Sequence, residues 1–249
     1  MRHAAPAKHV TAKTVLCTFL FCFLLFGAVL LTTTLLHRRP AEDSAETDAA
    51  MGRVRTVTLF FRKTVEELSG VVLLTVDTRT MEITVRGVAI DTEVGGRTVQ
   101  ELYQIGSWHA ATQLTAAYGG SCDGVLSFSV SNVASFLVYA GDHLCLTLPE
   151  QMDILPAGEN TLTPIQVADV LRYREWKNGA ATQAEIHAAV VAAIINRYWV
   201  ADRDLEQDFK QLTALCDERL SISQFEAIKE DLYALATHND GSMAKTESG

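Results

Sequence analysis

Leu155-Pro156-Ala157-Gly158-Glu159-Asn160-Thr161-Leu162-Thr163-Pro164-Ile165-Gln166-Val167-Ala168-Asp169-Val170-Leu171-Arg172-Tyr173-Arg174 is the stretch on which the reading of this chain turns. Thr163 is placed to cap a helix, Pro164 suits its first position because that amide needs no partner, and Gln166 completes a capping box. The segment therefore reads as a turn followed by a short helix that delivers Arg172 and Arg174 to its end. If the chain becomes extended there, residues two apart point the same way, and two guanidiniums converge on one phosphate or carboxylate. The alternative is a pair of surface arginines engaged in ordinary ion pairs.

Working outward, Val54 to Phe61, Gly70 to Val76 and Met81 to Ile90 are β-branched and apolar, with Asp77-Thr78-Arg79-Thr80 as a turn between the last two. Val71-Val72-Leu73-Leu74 is apolar at every position, the pattern of a strand buried on both faces and hence of a sheet covered by helices. Ser107 to Tyr118 is helical in pattern and stops at Gly119-Gly120. Val125 to Val130 predicts a strand, Ser131 or Asn132 a cap for a helix running to Gly141, and His143 to Leu148 another strand. Thr182-Gln183-Ala184-Glu185 reads as a second capping box opening a long helix. Helices over Asp204 to Leu215 and Ser223 to Ala236 follow. Strands alternating with helices predict an α/β fold, a mixed sheet covered by helices in an αβα sandwich.

The amino-terminal part is different in kind. Val15 to Leu36 is an uncharged run of 22 residues, enough to cross a hydrocarbon core of about 30 Å as a helix. A cleaved signal peptide is the rival reading, but the run is longer than the usual apolar region of such peptides and is followed by His37-Arg38-Arg39-Pro40. Arg2, Lys8 and Lys13 against Arg38 and Arg39 favour a cytoplasmic amino terminus. The expected organisation is a short cytoplasmic tail over 1–14, a transmembrane helix over 15–36, a solvated tether over 37–52, an extracytoplasmic domain over 53–237 and a tail without structure over 238–249. From Arg53 onward the chain holds 16 Lys plus Arg against 26 Asp plus Glu. Such an acidic surface has no basic stripe with which to displace counterions, so a nucleic-acid partner is not expected. Any phosphate site must be local.

Cys122, Cys145 and Cys216 lie outside the apolar run and show no zinc-ligand spacing. One disulfide plus a buried thiol, or three buried thiols, are both open. No Gly-x-Ser-x-Gly, Gly-x-x-x-x-Gly-Lys or His-Glu-x-x-His pattern is present.

The order Leu-x-x-Gly-x-x-x-Leu-Thr-x-x-Gln-Val-Ala-x-x-Leu-Arg-Tyr-Arg resembles the LytR-CpsA-Psr family of membrane-anchored, extracytoplasmic transferases. These move glycopolymers from a polyprenyl pyrophosphate carrier onto peptidoglycan. The resemblance extends more weakly from about Val54 to about Ala236. It implies that Arg172 and Arg174 bind the pyrophosphate, that Asp91 holds a divalent ion, Mg2+ or Mn2+, and that polyprenyl-linked glycopolymer and peptidoglycan are the partners, at the cell membrane.

Against the family pattern, however, Ala89-Ile90-Asp91 stands where the family has Pro-Arg-Asp. Gln183, Ala184, Glu185, Ile186 and His187 stand where it has Arg-x-x-Arg-Gln, and Gly70 replaces a metal-associated aspartate. Each loss removes charge that would stabilise phosphate and the developing leaving group. Asp91 is then either a metal ligand or a strand-end turn residue, and His187 either an anion contact near a helix amino terminus or an ordinary core or surface histidine. The resulting expectation is a non-catalytic binding or regulatory module for polyprenyl-linked envelope precursors, with phosphotransfer as the alternative. Arg62, Lys63, Arg79, Arg86 and Arg97 are the cations that could replace the missing charge. A transferase would bring one of them to Arg172 and Arg174 at the mouth of an apolar groove, with Asp91 nearby. A non-catalytic domain would bury Ile90 and Ile186 in packing.

Overall fold

The computed structural model describes residues 53–141, 143–200, 203–217 and 231–247. The expected membrane span, the tether and most of the helix expected over Ser223 to Ala236 lie outside the described residues. Within them, no helix is long and apolar enough to cross a membrane.

Five strands form one mixed sheet in the order β6-β1-β2-β3-β9. They are β1 (Val54–Arg62), β2 (Leu68–Asp77), β3 (Glu82–Val88), β6 (Gly124–Ser129) and β9 (Ala244–Glu247). β1 runs antiparallel to β2 and β2 to β3, while β6 and β9 pair in parallel with β1 and β3. Alternation along β2 sends Val71 and Leu73 to one face and Val72 and Val76 to the other, each into its own apolar cluster. This confirms the two-sided burial expected of the continuous apolar run. Helices α1 (Val99–Ile105) and α2 (Ser107–Ala117) cover the first face through Leu102, Ala111 and Leu114. On the second face lie α3 (Val130–Ala140), α4 (Pro164–Arg172) and α5 (Ala180–Tyr198), with α6 (Leu205–Ala214) and the helical residues 231–238. The small ribbons β4 (Glu93–Val94)–β5 (Arg97–Thr98) and β7 (Leu144–Leu148)–β8 (Gly158–Leu162) complete the fold. The observed architecture is the expected αβα sandwich.

The capping box read from sequence is present: Thr163 accepts from the Gln166 amide, and Gln166 returns a bond to the Thr163 amide. Three local readings need correction. The long helix α5 begins at Ala180 rather than at a Thr182 cap, because Gly179, at φ 57°, turns the chain in a left-handed conformation that costs glycine little. Thr182 is thereby buried inside the first turn. The α3 cap is Ser129, which accepts from the Asn132 backbone amide and leaves the Ser131 hydroxyl and the Asn132 side-chain amide for other partners. Residues 244–247, inside the tail expected to lack structure, form β9, held by the Asn196 side chain on both the amide and the carbonyl of Ala244.

Two glycines set how closely α5 lies on the sheet. A Cβ at Gly87 would come within 1.9 Å of the Ala184 carbonyl oxygen, and one at Gly70 within 2.4 Å of the His187 ring. The helix therefore rests on bare backbone at both points. Cys122, Cys145 and Cys216 are all free thiols, and Cys145 is exposed rather than buried.

Candidate functional site

The register brings the expected site residues to one end of the sheet. Arg62 closes β1 and has Leu68 and Ser129 as strand partners, and a register shift at Phe61/Arg62 loosens the ladder there. Val71 pairs with Val88, so the turn after β3 that holds Asp91 lies at the same end. Arg172 ends α4 and Arg174 follows it.

The two arginines are not aimed at one point. Tyr173 between them is extended, with φ −68° and ψ 132°, and stacks edge-on against Trp176 with ring centroids 4.8 Å apart. Arg172 donates to Ser131 Oγ at 2.6 Å and lies 3.5 Å from Asp169. Arg174 donates to the Leu68 carbonyl at 2.5 Å and pairs with the Glu67 carboxylate at 2.7 Å. One guanidinium is thus fastened to the first turn of α3 and the other to the β1–β2 connection. Their side chains keep 39% and 34% of their exposure, and the Nε of Arg174 is buried without a hydrogen-bond partner.

Of the cations that could compensate for missing charge, Arg62 comes to this end of the sheet, where it is paired with Asp217. Lys63 pairs with Glu67 at 3.7 Å. Arg79 is bound to Asp77 in the β2–β3 turn at the far end, and Arg86 to Glu247 of β9. Arg97 lies exposed on the β4–β5 hairpin. Asp91 is exposed, and its side chain makes no hydrogen bond among the described residues. Those residues contain no group of three or more His, Cys, Asp or Glu placed to hold a metal ion. No set of three such ligands therefore surrounds Asp91, which can offer a divalent cation at most a partial set of protein ligands. Ile90 packs at the margin of the α1–α2 core, and Ile186 is buried in the main core.

His187 is fully buried and occupies the room left by Gly70. Its Nδ1 lies 2.7 Å from the Gln183 carbonyl, which can only accept, so the proton sits on Nδ1; the Nε2 lone pair is left without a donor. The ring packs edge-on against Phe61, with centroids 5.0 Å apart. Burial, opposed by the Gln183 bond and reinforced by the Arg174 charge, pushes the imidazole from 6.5 down to about 4. Fully buried and with its one N–H spent on the Gln183 carbonyl, this ring has no donor left for the anion contact considered from sequence. Because the folded-state value is depressed, the unfolded chain binds the extra proton first, and stability is lost as pH falls from 6.5 towards 4. The loss approaches about 3 kcal/mol. A His187→Gln variant should show a flatter stability profile over that window in urea titrations at stepped pH; an unchanged slope would exclude His187 as its source.

Beneath the sheet lies an apolar cavity of about 160 Å3, which runs from Arg55, Val76 and Ile83 near the far end to Phe61 and Phe128 near this one, with Val133 and Val191 among its other walls. It reaches Asn132, next to the Ser131 that holds Arg172, and Phe61, against which His187 packs. Arg55 and Asp231, paired at 3.1 Å, also line it. The sequence did not reveal Ser69 or Ser131 as parts of this region, and it marked Gln183 only as standing at a lost arginine. Ser69 Oγ and the Gln183 amide both donate to the Leu171 carbonyl, tying β2 and α5 to the end of α4, and no local signal marks such long-range bonds.

No family model matches the sequence, and no curated protein does. Solved structures do. A protein of Eubacterium siraeum described as a transcription regulator superposes with a TM-score of 0.68 at 14% identity, over 78% of this chain and 81% of the other. TagV of Bacillus subtilis gives 0.57 at 11% identity, over 79% and 85%. TagU of the same organism gives 0.54 at 14%, over 78% and 83%. TagU and TagV are LytR-CpsA-Psr proteins, and the present chain has a LytR-CpsA-Psr-like fold.

Proposed function

We propose that this protein is a membrane-anchored binding module of the cell envelope, which holds a polyprenyl-linked precursor without transferring it. The observation that carries the reading is the apolar cavity under the sheet, bordered at Asn132 by the residues that hold Arg172. A branched hydrocarbon chain needs such a wall and no polar partner within it. Arg172, held by Ser131 beside the lining residue Asn132, and Arg174 then supply positive charge to the pyrophosphate. What disfavours transfer is the site's own chemistry. The imidazole of His187 fills the space at Gly70 where a carboxylate would stand in the family pattern, and among the described residues Asp91 belongs to no group of three potential metal ligands. The acidic balance of the domain disfavours a DNA-binding reading despite the description borne by the Eubacterium neighbour.

The test compares a polyprenol with the corresponding polyprenyl pyrophosphate, by thermal stabilisation of the chain from Arg53 onward, since binding to the folded state alone raises its melting temperature. Both should stabilise the wild type, the pyrophosphate more. In Arg172→Ala/Arg174→Ala the two ligands should become equivalent, with the polyprenol shift retained. No shift with either ligand would refute the cavity reading, and an undiminished pyrophosphate advantage in the double variant would return the arginines to structural ion pairs.

A further inference from the structure

On the opposite face of the sheet from the apolar cavity, at the Arg62 end, lies a polar depression of about 620 Å3. We propose that it binds a neutral saccharide. Ser127 places it: its strand neighbours Leu126 and Phe128 line the apolar cavity, while its own hydroxyl turns to the other face and meets Tyr103 Oη at 3.1 Å. Arg62, Glu66, Gln104, Ser107 and Asp217 complete the polar lining, with Val65 as its one aliphatic member.

The choice of ligand follows from which groups are present and how they are engaged. One guanidinium stands against two carboxylates, so an anion meets net repulsion. No group of three or more His, Cys, Asp or Glu among the described residues can hold a metal ion, which removes a cation site of that kind. The lining is too polar for a hydrocarbon chain. Two carboxylates, an amide, a guanidinium and hydroxyls together offer acceptors and donors in mixed array, which is what the paired hydroxyls of a sugar ring satisfy.

The capacity is also unspent. Among the described residues no side-chain hydrogen bond engages Glu66 or Gln104, and both are exposed. Arg62 is held by the single carboxylate of Asp217, and its Nε has no partner. The floor, by contrast, is fixed. The Tyr103 ring packs on Phe60 at 4.9 Å, and the Asp217 amide donates to the Ser127 carbonyl at 2.8 Å. A rigid base with open polar arms keeps the ordering cost of binding low. The inference rests on the proposed function only for its meaning. Phe61 and Leu215 line the apolar cavity, while Arg62 and Asp217, one and two residues on, line this one, so a lipid-borne sugar has its two chemistries served around one edge of the sheet.

The experiment uses the full chain in lipid nanodiscs, with chitotriose and maltotriose as probes in saturation-transfer NMR and competition titrations, and polyprenol binding measured in parallel. At least one trisaccharide should bind, and Glu66→Gln/Gln104→Ala should weaken it at least tenfold while leaving polyprenol binding unchanged. Both substituted residues are exposed, so folding is preserved. Absence of binding by either sugar, or equal binding by the variant, overturns the saccharide site. Polyprenol binding without sugar binding overturns this inference alone. Sugar binding sensitive to the variant, without polyprenol binding, supports it and overturns the cavity reading.

Discussion

Gly87→Ala is expected to be the most damaging single methyl group that can be added to this domain, removing at least about 3 kcal/mol of stability. The new Cβ would sit 1.9 Å from the Ala184 carbonyl oxygen. That obstacle is helix backbone, so relief requires α5 to lift from β3 and to part the core built on Ile186 and Val190. Domain stabilities of about 5–15 kcal/mol leave little margin for such a loss. Gly70→Ala makes an instructive contrast. Its Cβ meets the His187 ring at 2.4 Å, a side chain rather than backbone. Removing that ring in Gly70→Ala/His187→Ala should therefore recover part of the stability lost by Gly70→Ala, whereas His187→Ala should not rescue Gly87→Ala. Urea unfolding of the chain from Arg53 onward, followed by circular dichroism, measures all of these. Equal rescue of both glycine variants, or of neither, would contradict the account of α5 resting on bare backbone.

That contrast also shows what was legible in the sequence. The sandwich could be read because its signals are local: the unbroken apolar run at Val71 to Leu74 announced a sheet buried on both faces, and the Thr163–Gln166 box set the start of α4. The α5 start was misread because Thr182-x-x-Glu185 satisfies the same local rule, while the true start depends on seating Ala184 and His187 over glycines in β3 and β2 that lie far earlier in the chain. The parallel pairing of β9 with β3 is likewise long-range and left no mark in a polar, glycine-containing tail. At the site, the arginine pair was visible as a pattern. Its division between Ser131 and the Leu68 carbonyl was not, because partners on other elements cannot be read from spacing.

Gly70 and His187 are a single arrangement: an imidazole in place of a side chain on β2, shielded well enough to stay neutral. A buried neutral ring braces the sheet against α5 but offers no charge to a phosphate. The cavity beyond Phe61 retains the apolar wall that a lipid chain needs. These two features are what the proposal of binding without transfer rests on.

The most direct test is a single-turnover experiment on the full chain in nanodiscs, with a radiolabelled polyprenyl pyrophosphate-linked saccharide, peptidoglycan fragments, and Mg2+ or Mn2+ supplied. The account predicts that the wild type retains the labelled lipid and returns it chemically intact. A Val133→Trp variant, which fills the apolar cavity, should lose at least tenfold in retention, since displacement of a hydrocarbon chain forfeits roughly 0.8 kcal/mol for each methylene returned to water. Release of polyprenyl phosphate with label appearing on peptidoglycan, or failure of the wild type to retain the lipid at all, would contradict it.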